Sequence, residues 1–189
     1  IRPVASTGTD NWLFRLGDAL AVRLPRRPSA AALLDKEWTW LPQFSGLPLE
    51  VPLPHARGPA TGDFPYPYSV VPWIDGDLAT PDNLGDPVTA ALTLAGFLQA
   101  LQVQPAHGAP PAGDANHMRG VDLSAMDART RPAMAACADE MDLAAAERLW
   151  QAALEAGPRQ GAPVWLHGDL KADNLLARQG RLVAVLDWG

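Results

Sequence analysis

The sequence contains one cysteine and two lysines, and it has no long apolar run. Because Cys137 has no second cysteine to pair with, we expect a reducing, cytoplasmic location. No stretch approaches the roughly 18 apolar residues that a membrane-spanning helix needs, so we predict no membrane association. A net charge of −6 argues against nucleic-acid binding and is compatible with a cationic small-molecule partner. The remaining composition, 48% apolar and 19% charged, is that of a globular chain with a sizeable core.

Two short motifs lie near the end of the sequence, HGDLKADN at 167–174 and LDWG at 186–189. The Asp169 carboxylate can orient a substrate hydroxyl and accept its proton. The amide oxygen of Asn174 and the carboxylate of Asp187, eighteen residues after Asp169, can hold Mg²⁺ against a triphosphate, because hard cations prefer oxygen ligands. Either motif alone is also typical of an ordinary turn. The pair at this spacing favours the catalytic and metal loops of a phosphoryl-transferring kinase.

The residues around these motifs predict how they are placed. Apolar residues at 164–166 predict a strand that leads into the first motif. Runs at 175–178 and 182–186 flank Gln179-Gly180 and predict a β-hairpin. Asp187 would then lie just past a strand, beside the loop that carries Asp169.

A strand and a helix in the first forty residues carry a possible ion pair. Apolar runs at 12–16 and 19–24 predict a hairpin, and a helix follows from Pro28 to about Trp40. The helical spacing puts Glu37 on the apolar face, where it needs a partner, and Arg23 is the natural one. Alternatively, Arg23 is a solvated strand-end residue, and Glu37 pairs with a neighbour four residues away on its own helix or is solvated.

The remaining segments predict a largely helical second half. Strands are expected near 51–56 and 68–74, with a turn at 75–77, and helices at about 123–141 and 142–156. Another helix should begin at Asp86-Pro87, with an aspartate cap and a first-turn proline. The apolar stripe of that helix, expected in the core, consists of Val88, Leu92, Ala95, Leu98 and Leu101.

The chain resembles the aminoglycoside phosphotransferase family, through residues 6–11, 21–26, 164–170, 174–176 and 186–189 in the family's order. The resemblance implies an α+β, protein-kinase-like fold of two lobes. The small nucleotide-binding lobe, residues 1–74, would hold an antiparallel sheet. The larger, mainly helical lobe, residues 75–189, would carry both loops and lack its carboxy-terminal part.

The resemblance also implies ATP or GTP with Mg²⁺, and a small-molecule hydroxyl acceptor, first of all an aminoglycoside-type antibiotic. Other acceptors on this scaffold are sugars, choline-like amino-alcohols and macrolides, and a non-catalytic nucleotide-binding protein is a further alternative. Asp169 would be the base, Lys171 would neutralise charge or be a solvated surface residue, and Asn174 and Asp187 would bind the metal. The nucleotide-binding residues would be Gly8, Thr9, Asn11, Arg23, Glu37, Val71 and Trp73.

The sequence departs from the kinase pattern at one of these positions. Arg23 stands where a lysine is usual, and the only lysines are Lys36 and Lys171. Arginine keeps the charge and can grip phosphate with two N–H groups, but it is bulkier. The loop at 6–11 is not glycine-rich and by itself is also typical of a plain hairpin loop. We further expect residues 1–189 to hold an incomplete acceptor site and to expose apolar surface.

Overall fold

The computed structural model describes residues 1–5 and 8–189, with the side chain of residue 115 excepted. The described chain forms two compact units, Ile1–Pro105 with Val164–Gly189, and Ala106–Pro163. The predicted lobe boundary after residue 74 falls inside the first unit and stays a prediction.

An antiparallel sheet of five strands occupies the first part of the first unit, in the order β1-β2-β3-β5-β4. The predicted β2–β3 hairpin is confirmed, and its turn contains Gly17 with a φ of +62°. β1 was not expected, because three residues are too few to show an alternating pattern. The strands are β1 Arg2–Val4, β2 Asn11–Leu16, β3 Leu20–Pro25, β4 Ala56–Gly58 and β5 Tyr68–Pro72.

Helix α1, Pro28–Trp40, follows β3 and is confirmed. Proline at its first position fits a site where the backbone N–H has no helical partner. Ala30, Leu34 and Glu37 are its buried residues, at spacings of four and three, so the inward placement of Glu37 is also confirmed. A single 3₁₀ turn, Leu41–Phe44, continues the chain beyond the helix.

A second sheet of three antiparallel strands consists of β6 Asp77–Leu78, β7 Leu175–Arg178 and β8 Arg181–Val185. The β7–β8 hairpin is confirmed. Gln179 and Gly180 have φ angles of +53° and +77°, and two positive values are what a tight two-residue hairpin turn requires.

Two predicted strands are wrong. Residues 164–166 form no strand; the Trp165 indole donates instead to the Pro105 carbonyl oxygen at 2.8 Å. At 51–56 only Ala56 enters a strand, because Pro52 and Pro54 have no N–H to donate. An apolar run therefore did not distinguish a strand from an extended segment whose side chains pack.

Helix α2, Pro87–Gln102, begins where expected and is capped by the aspartate that precedes it. Phe97 and Leu101 are fully buried, but Val88, Leu92 and Ala95 are exposed, the first two to 64% and 69%, so the predicted core stripe is wrong at its first three positions. Apolar residues surround most of this helix, and spacing alone could not tell which face would be covered.

The core lies in the first unit and joins residues from both of its chain segments. α2 packs through Leu94, Phe97, Leu98 and Leu101. The buried members of the main cluster are Leu41, Phe44, Leu49, Val51, Ala79, Phe97, Leu101, Leu175, Ala177, Leu182 and Val185.

The second unit contains α3, Asp127–Ala136, and α4, Leu143–Glu155. The Trp150 indole donates to Asp127 at 2.6 Å and links the two helices. No side chain that the structure describes in this unit is fully buried. α3 is shorter than the helix predicted at about 123–141, because a separate 3₁₀ turn, Leu123–Met126, precedes it and because it ends at Ala136. In the described parts of both units, no helix is both long and apolar enough to cross a lipid bilayer.

Candidate active site

The two polar residues of the first motif contact each other directly. Asn174 Nδ2 donates to the backbone oxygen of Asp169 at 2.8 Å and to its carboxylate Oδ2 at 3.2 Å. Asn174 is buried, while the Asp169 side chain is 34% exposed. Since Nδ2 makes both bonds, the Asn174 amide oxygen Oδ1 is not used in them. The loop thus holds a carboxylate at the surface and leaves an amide oxygen for another partner.

His167 ties this loop to the second motif. Its Nε2 lies 2.8 Å from the Leu186 carbonyl oxygen, and its Nδ1 lies 3.3 Å from the Asp169 backbone nitrogen. A carbonyl can only accept, so Nε2 carries the proton and Nδ1 accepts from Asp169 N–H. His167 therefore holds the catalytic loop against the second motif through both ring nitrogens.

Asp187 follows β8 and lies next to the loop of Asp169 and Asn174, as predicted. The Leu186 N–H donates to the backbone carbonyl oxygen of Asn174 at 2.8 Å, which fixes Leu186, the residue before Asp187. Asp187 itself is exposed and has a φ of +60°. Lys171 Nζ lies 4.0 Å from Asp169 Oδ2, and its side chain is 55% exposed, so this ion pair contributes little stability.

The predicted Arg23–Glu37 pair is confirmed. Arg23 Nη1 donates to Glu37 Oε2, and their side chains are only 15% and 2% exposed. Burial of the guanidinium by itself disfavours its charged form. The carboxylates of Glu37, Asp187 and Asp10 outweigh this effect and raise the pKa of Arg23 above its ordinary value. Arg23 therefore lies within the electrostatic reach of the second motif.

Two buried polar atoms without a described partner belong to this pair and to a residue beside it. Glu37 Oε1 and Ser69 Oγ are buried and have no hydrogen-bond partner among the described residues. Ser69 on β5 is paired with Arg23 on β3, so both side chains point to the same face of the sheet. The pair thus leaves acceptor capacity beside the guanidinium.

The loop before β2 is described only in part, because Ser6 and Thr7 lie outside the described residues. Gly8 and Thr9 are exposed, and Asn11 begins β2 with its Oδ1 buried and without a partner in the described chain. Asp10 forms an ion pair with Arg27, at the start of α1. The position of Gly8, Thr9 and Asn11 near this end of the sheet is compatible with phosphate contacts, which stay a prediction.

The backbone groups of β5 point to two different sides of the strand. Trp73 N–H donates to the Ala19 oxygen at 2.8 Å, so this donor is already used within the sheet. Because hydrogen-bonding direction alternates along a strand, Val71 also directs its backbone groups toward β3. Pro72 C=O and Ile74 N–H point the other way, where β4 pairs with β5 only as far as Val70. The base-contact roles of Val71 and Trp73 stay predictions. The Pro72 C=O and the Ile74 N–H are better placed to contact a base.

The oxygen atoms of the two motifs fit a magnesium ion chemically. Asn174 Oδ1 and the Asp187 carboxylate are hard ligands, and Mg²⁺ completes its shell with water and phosphate oxygens. No group of three His, Cys, Asp or Glu side chains in the described chain could hold a metal alone. A surface cavity of about 470 Å³ lies elsewhere, beside Gly76, Asp82 and Gly180, and none of the predicted site residues lines it.

Sequence reasoning missed three features of this region. These are the open backbone groups of β5, the Asp10–Arg27 pair, and the anchoring of Trp188, whose indole donates to the Val185 oxygen at 2.9 Å. The position of Trp188 inside the second motif was a usable signal, since a buried indole N–H needs an acceptor. The register of β5 had no comparable signal in the sequence.

A five-stranded antiparallel sheet with a buried Arg–Glu pair, linked loops and a helical remainder defines the class of α+β proteins with a protein-kinase-like fold. The chain belongs to the phosphotransferase enzyme family APH, whose family model matches residues 1–189. Among curated proteins, no sequence matches the chain.

Several solved structures of phosphotransferases share the fold. The GDP and kanamycin complex of APH(2″)-IIia has a TM-score of 0.65 and 21% identity, over 97% of this chain and 65% of that one. ADP-bound aminoglycoside phosphotransferase APH(2″)-Ib gives 0.61 and 18%, over 99% and 64%. The macrolide 2′-phosphotransferase MphH from Brachybacterium faecium gives 0.62 and 21%, over 99% and 64%. The present chain thus spans just under two thirds of the length of these relatives.

Proposed function

We propose that the protein is a phosphotransferase that moves the γ-phosphate of ATP or GTP to a hydroxyl group of a small molecule. The observation that carries the proposal is the contact between the catalytic and metal loops. Asn174 bonds to Asp169 on one side and accepts from the residue before Asp187 on the other. These three residue types then lie together, as phosphoryl transfer to a hydroxyl requires.

Each residue has a distinct role. Asp169 orients the acceptor hydroxyl and accepts its proton. Asn174 and Asp187 hold Mg²⁺, which when bound neutralises charge on the phosphates. Arg23, fixed by Glu37, contacts the α- and β-phosphates, and Lys171 neutralises charge on the transferring group.

The nucleotide base would lie against the open edge of β5. Pro72 C=O supplies an acceptor there and Ile74 N–H a donor. Gly8, Thr9 and Asn11 contribute to phosphate binding from the loop before β2. Structural neighbours that carry GDP or ADP support a purine nucleotide.

For the acceptor we favour an aminoglycoside-type compound, whose positive charge suits a protein of net charge −6. Kanamycin is bound in one structural neighbour, and another neighbour is a macrolide 2′-phosphotransferase. A macrolide, a sugar or an amino-alcohol is therefore the alternative. Arg23 in place of the usual lysine is the one feature that favours a non-catalytic nucleotide-binding protein.

A phosphotransfer screen on the full-length protein tests the proposal. Purified protein is incubated with γ-labelled ATP or GTP, with and without Mg²⁺, and with panels of aminoglycosides, macrolides, sugars and amino-alcohols. We expect label transfer to one class, dependent on Mg²⁺ and absent from an Asp169→Asn control. Nucleotide binding without transfer to any acceptor would favour the non-catalytic alternative, and absence of nucleotide binding would contradict the proposal.

A further inference from the structure

The backbone at Asp187 is strained. Its φ of +60° lies in the left-handed region, which is less favourable for residues other than glycine, although aspartate and asparagine adopt it more readily than most. Such a conformation persists only where the residues around it hold it in place. The question is therefore which contacts hold the backbone on each side of this carboxylate.

Contacts from the catalytic loop fix the residue before Asp187. Leu186 N–H donates to the backbone oxygen of Asn174 at 2.8 Å, and the backbone oxygen of Leu186 lies 2.8 Å from His167 Nε2. With both of its backbone groups bonded, Leu186 cannot rotate without breaking a hydrogen bond.

Trp188 fixes the residue after Asp187. Its indole N–H donates to the Val185 oxygen at 2.9 Å, which closes a short loop around Asp187. Its ring packs against Phe44, Phe97 and His167, with centroid distances of 5.2, 6.1 and 4.8 Å. A phenylalanine could fill much of the same space, but it has no N–H to donate.

Gly189 extends the close packing beyond Trp188. It is buried, and a Cβ atom at this position would lie 3.0 Å from Leu33 Cδ1 on α1. Contacts thus hold the chain both before and after Asp187, while Asp187 itself is exposed.

We propose that Trp188 is a positioning residue, whose indole N–H holds Asp187 in the left-handed conformation that presents its carboxylate to the cation. The cation part rests on the proposed function. The holding part does not, because it concerns only the backbone of this chain. Without the indole bond, the aromatic packing would remain, but the hydrogen bond that closes the loop around Asp187 would be lost.

A purely structural role for Trp188 predicts a different outcome, and Trp165 supplies the matched control. The Trp165 indole also donates to a carbonyl oxygen, that of Pro105, at 2.8 Å. Its ring also packs on Phe44, at 5.1 Å. No residue with positive φ adjoins it in the described chain. Trp188→Phe and Trp165→Phe thus each remove one indole–carbonyl bond from one aromatic cluster, and only the Trp188 bond closes around Asp187.

The experiment compares both variants with the wild type in the full-length protein. The first measurement is hydrogen exchange at the Leu186 amide without ligand. The second is Mn²⁺ binding in the presence of ADP, followed by electron paramagnetic resonance. Both variants should lower Tm by similar amounts. Only Trp188→Phe should accelerate exchange at Leu186 and weaken Mn²⁺ binding, each about three- to tenfold, as the loss of one hydrogen bond gives.

Each outcome decides a stated part of the proposal. Unchanged exchange and unchanged Mn²⁺ affinity in Trp188→Phe would overturn it, as would equal changes in both variants. A wild type that binds no Mn²⁺ with ADP would overturn the proposed function and the cation part. The exchange comparison would still decide whether Trp188 holds Asp187.

Discussion

The two halves of the candidate site differ in their exposure to solvent. On the sheet and helix, Arg23 and Glu37 are 15% and 2% exposed and are already paired. On the loops, Asp169 and Lys171 are 34% and 55% exposed, and Asp187 is exposed as well. A buried charge must be compensated by another group of the protein, whereas a carboxylate at the surface is solvated by water until a cation or a substrate binds. The first half should therefore affect stability and nucleotide binding, and the second half mainly cation binding and the chemistry.

The largest effect is expected from Asp169→Asn. The amide cannot accept the hydroxyl proton, so the rate of phosphotransfer should fall by about 10²–10⁴, while nucleotide affinity and Tm stay nearly unchanged. Asp173→Asn changes an exposed carboxylate of the same loop and is the control. Turnover by Asp169→Asn within about tenfold of wild type would remove Asp169 from its role.

Glu37→Ala tests the buried half. It leaves the Arg23 guanidinium buried without its partner, so the free energy of unfolding should fall by about 3–5 kcal/mol, measured by urea denaturation. Asp35→Ala is the matched control, because Asp35 lies on the same helix and pairs with Arg57 where both side chains are exposed. The control should lose at most about 1 kcal/mol. Equal losses would mean that burial does not distinguish the two pairs.

Asp187→Asn keeps a residue type that tolerates positive φ and removes the negative charge. The Mg²⁺ dependence of nucleotide binding should be strongly reduced, since the neutral amide is a weaker ligand of the cation than the carboxylate. Titration of a fluorescent ATP analogue with and without Mg²⁺ measures this. If the variant retained the full Mg²⁺ dependence, the metal would have to bind elsewhere.

Arg23→Ala should weaken ATP binding and lower the rate together, because one cation acts on both. A loss of about 10- to 100-fold in affinity corresponds to charge-assisted hydrogen bonds. Arg23→Lys should retain much of both, since the charge stays. Isothermal titration with ATP and steady-state kinetics provide the two readouts. Unchanged parameters in Arg23→Ala would make Arg23 a structural residue only.

Lys171→Met should have the smallest effect. Its ion pair with Asp169 is long and exposed, so stability should stay within about 0.5 kcal/mol of wild type. The rate should fall by less than about tenfold if Lys171 neutralises charge on the transferring phosphate. A kinetic comparison at saturating ATP measures the effect. A drop as large as that of Asp169→Asn would mean that Lys171 contributes as much to the chemistry as the base does.

The sequence predicted the contacts of the candidate site better than it predicted the surrounding strands and helix faces. The Arg23–Glu37 pair followed from helical spacing together with the need of an inward carboxylate for a cation. The strand at 164–166 failed because Trp165 is fixed by an indole bond and ring packing, which an apolar run does not reveal. Exposure of Val88 and Leu92 could not be predicted, because the covered face of a mostly apolar helix depends on its neighbours.

The sequence by itself determined the features that depend on near neighbours. Examples are the Gln179-Gly180 turn, the proline at the start of α1, and the order of the two motifs. Only the tertiary structure decided which edge of β5 is open, since strand register is set by β3 and β4. The strained backbone of Asp187 and the bond that Trp188 makes around it belong to the same group. Their partners come from distant segments, and packing, not local preference, brings those segments together.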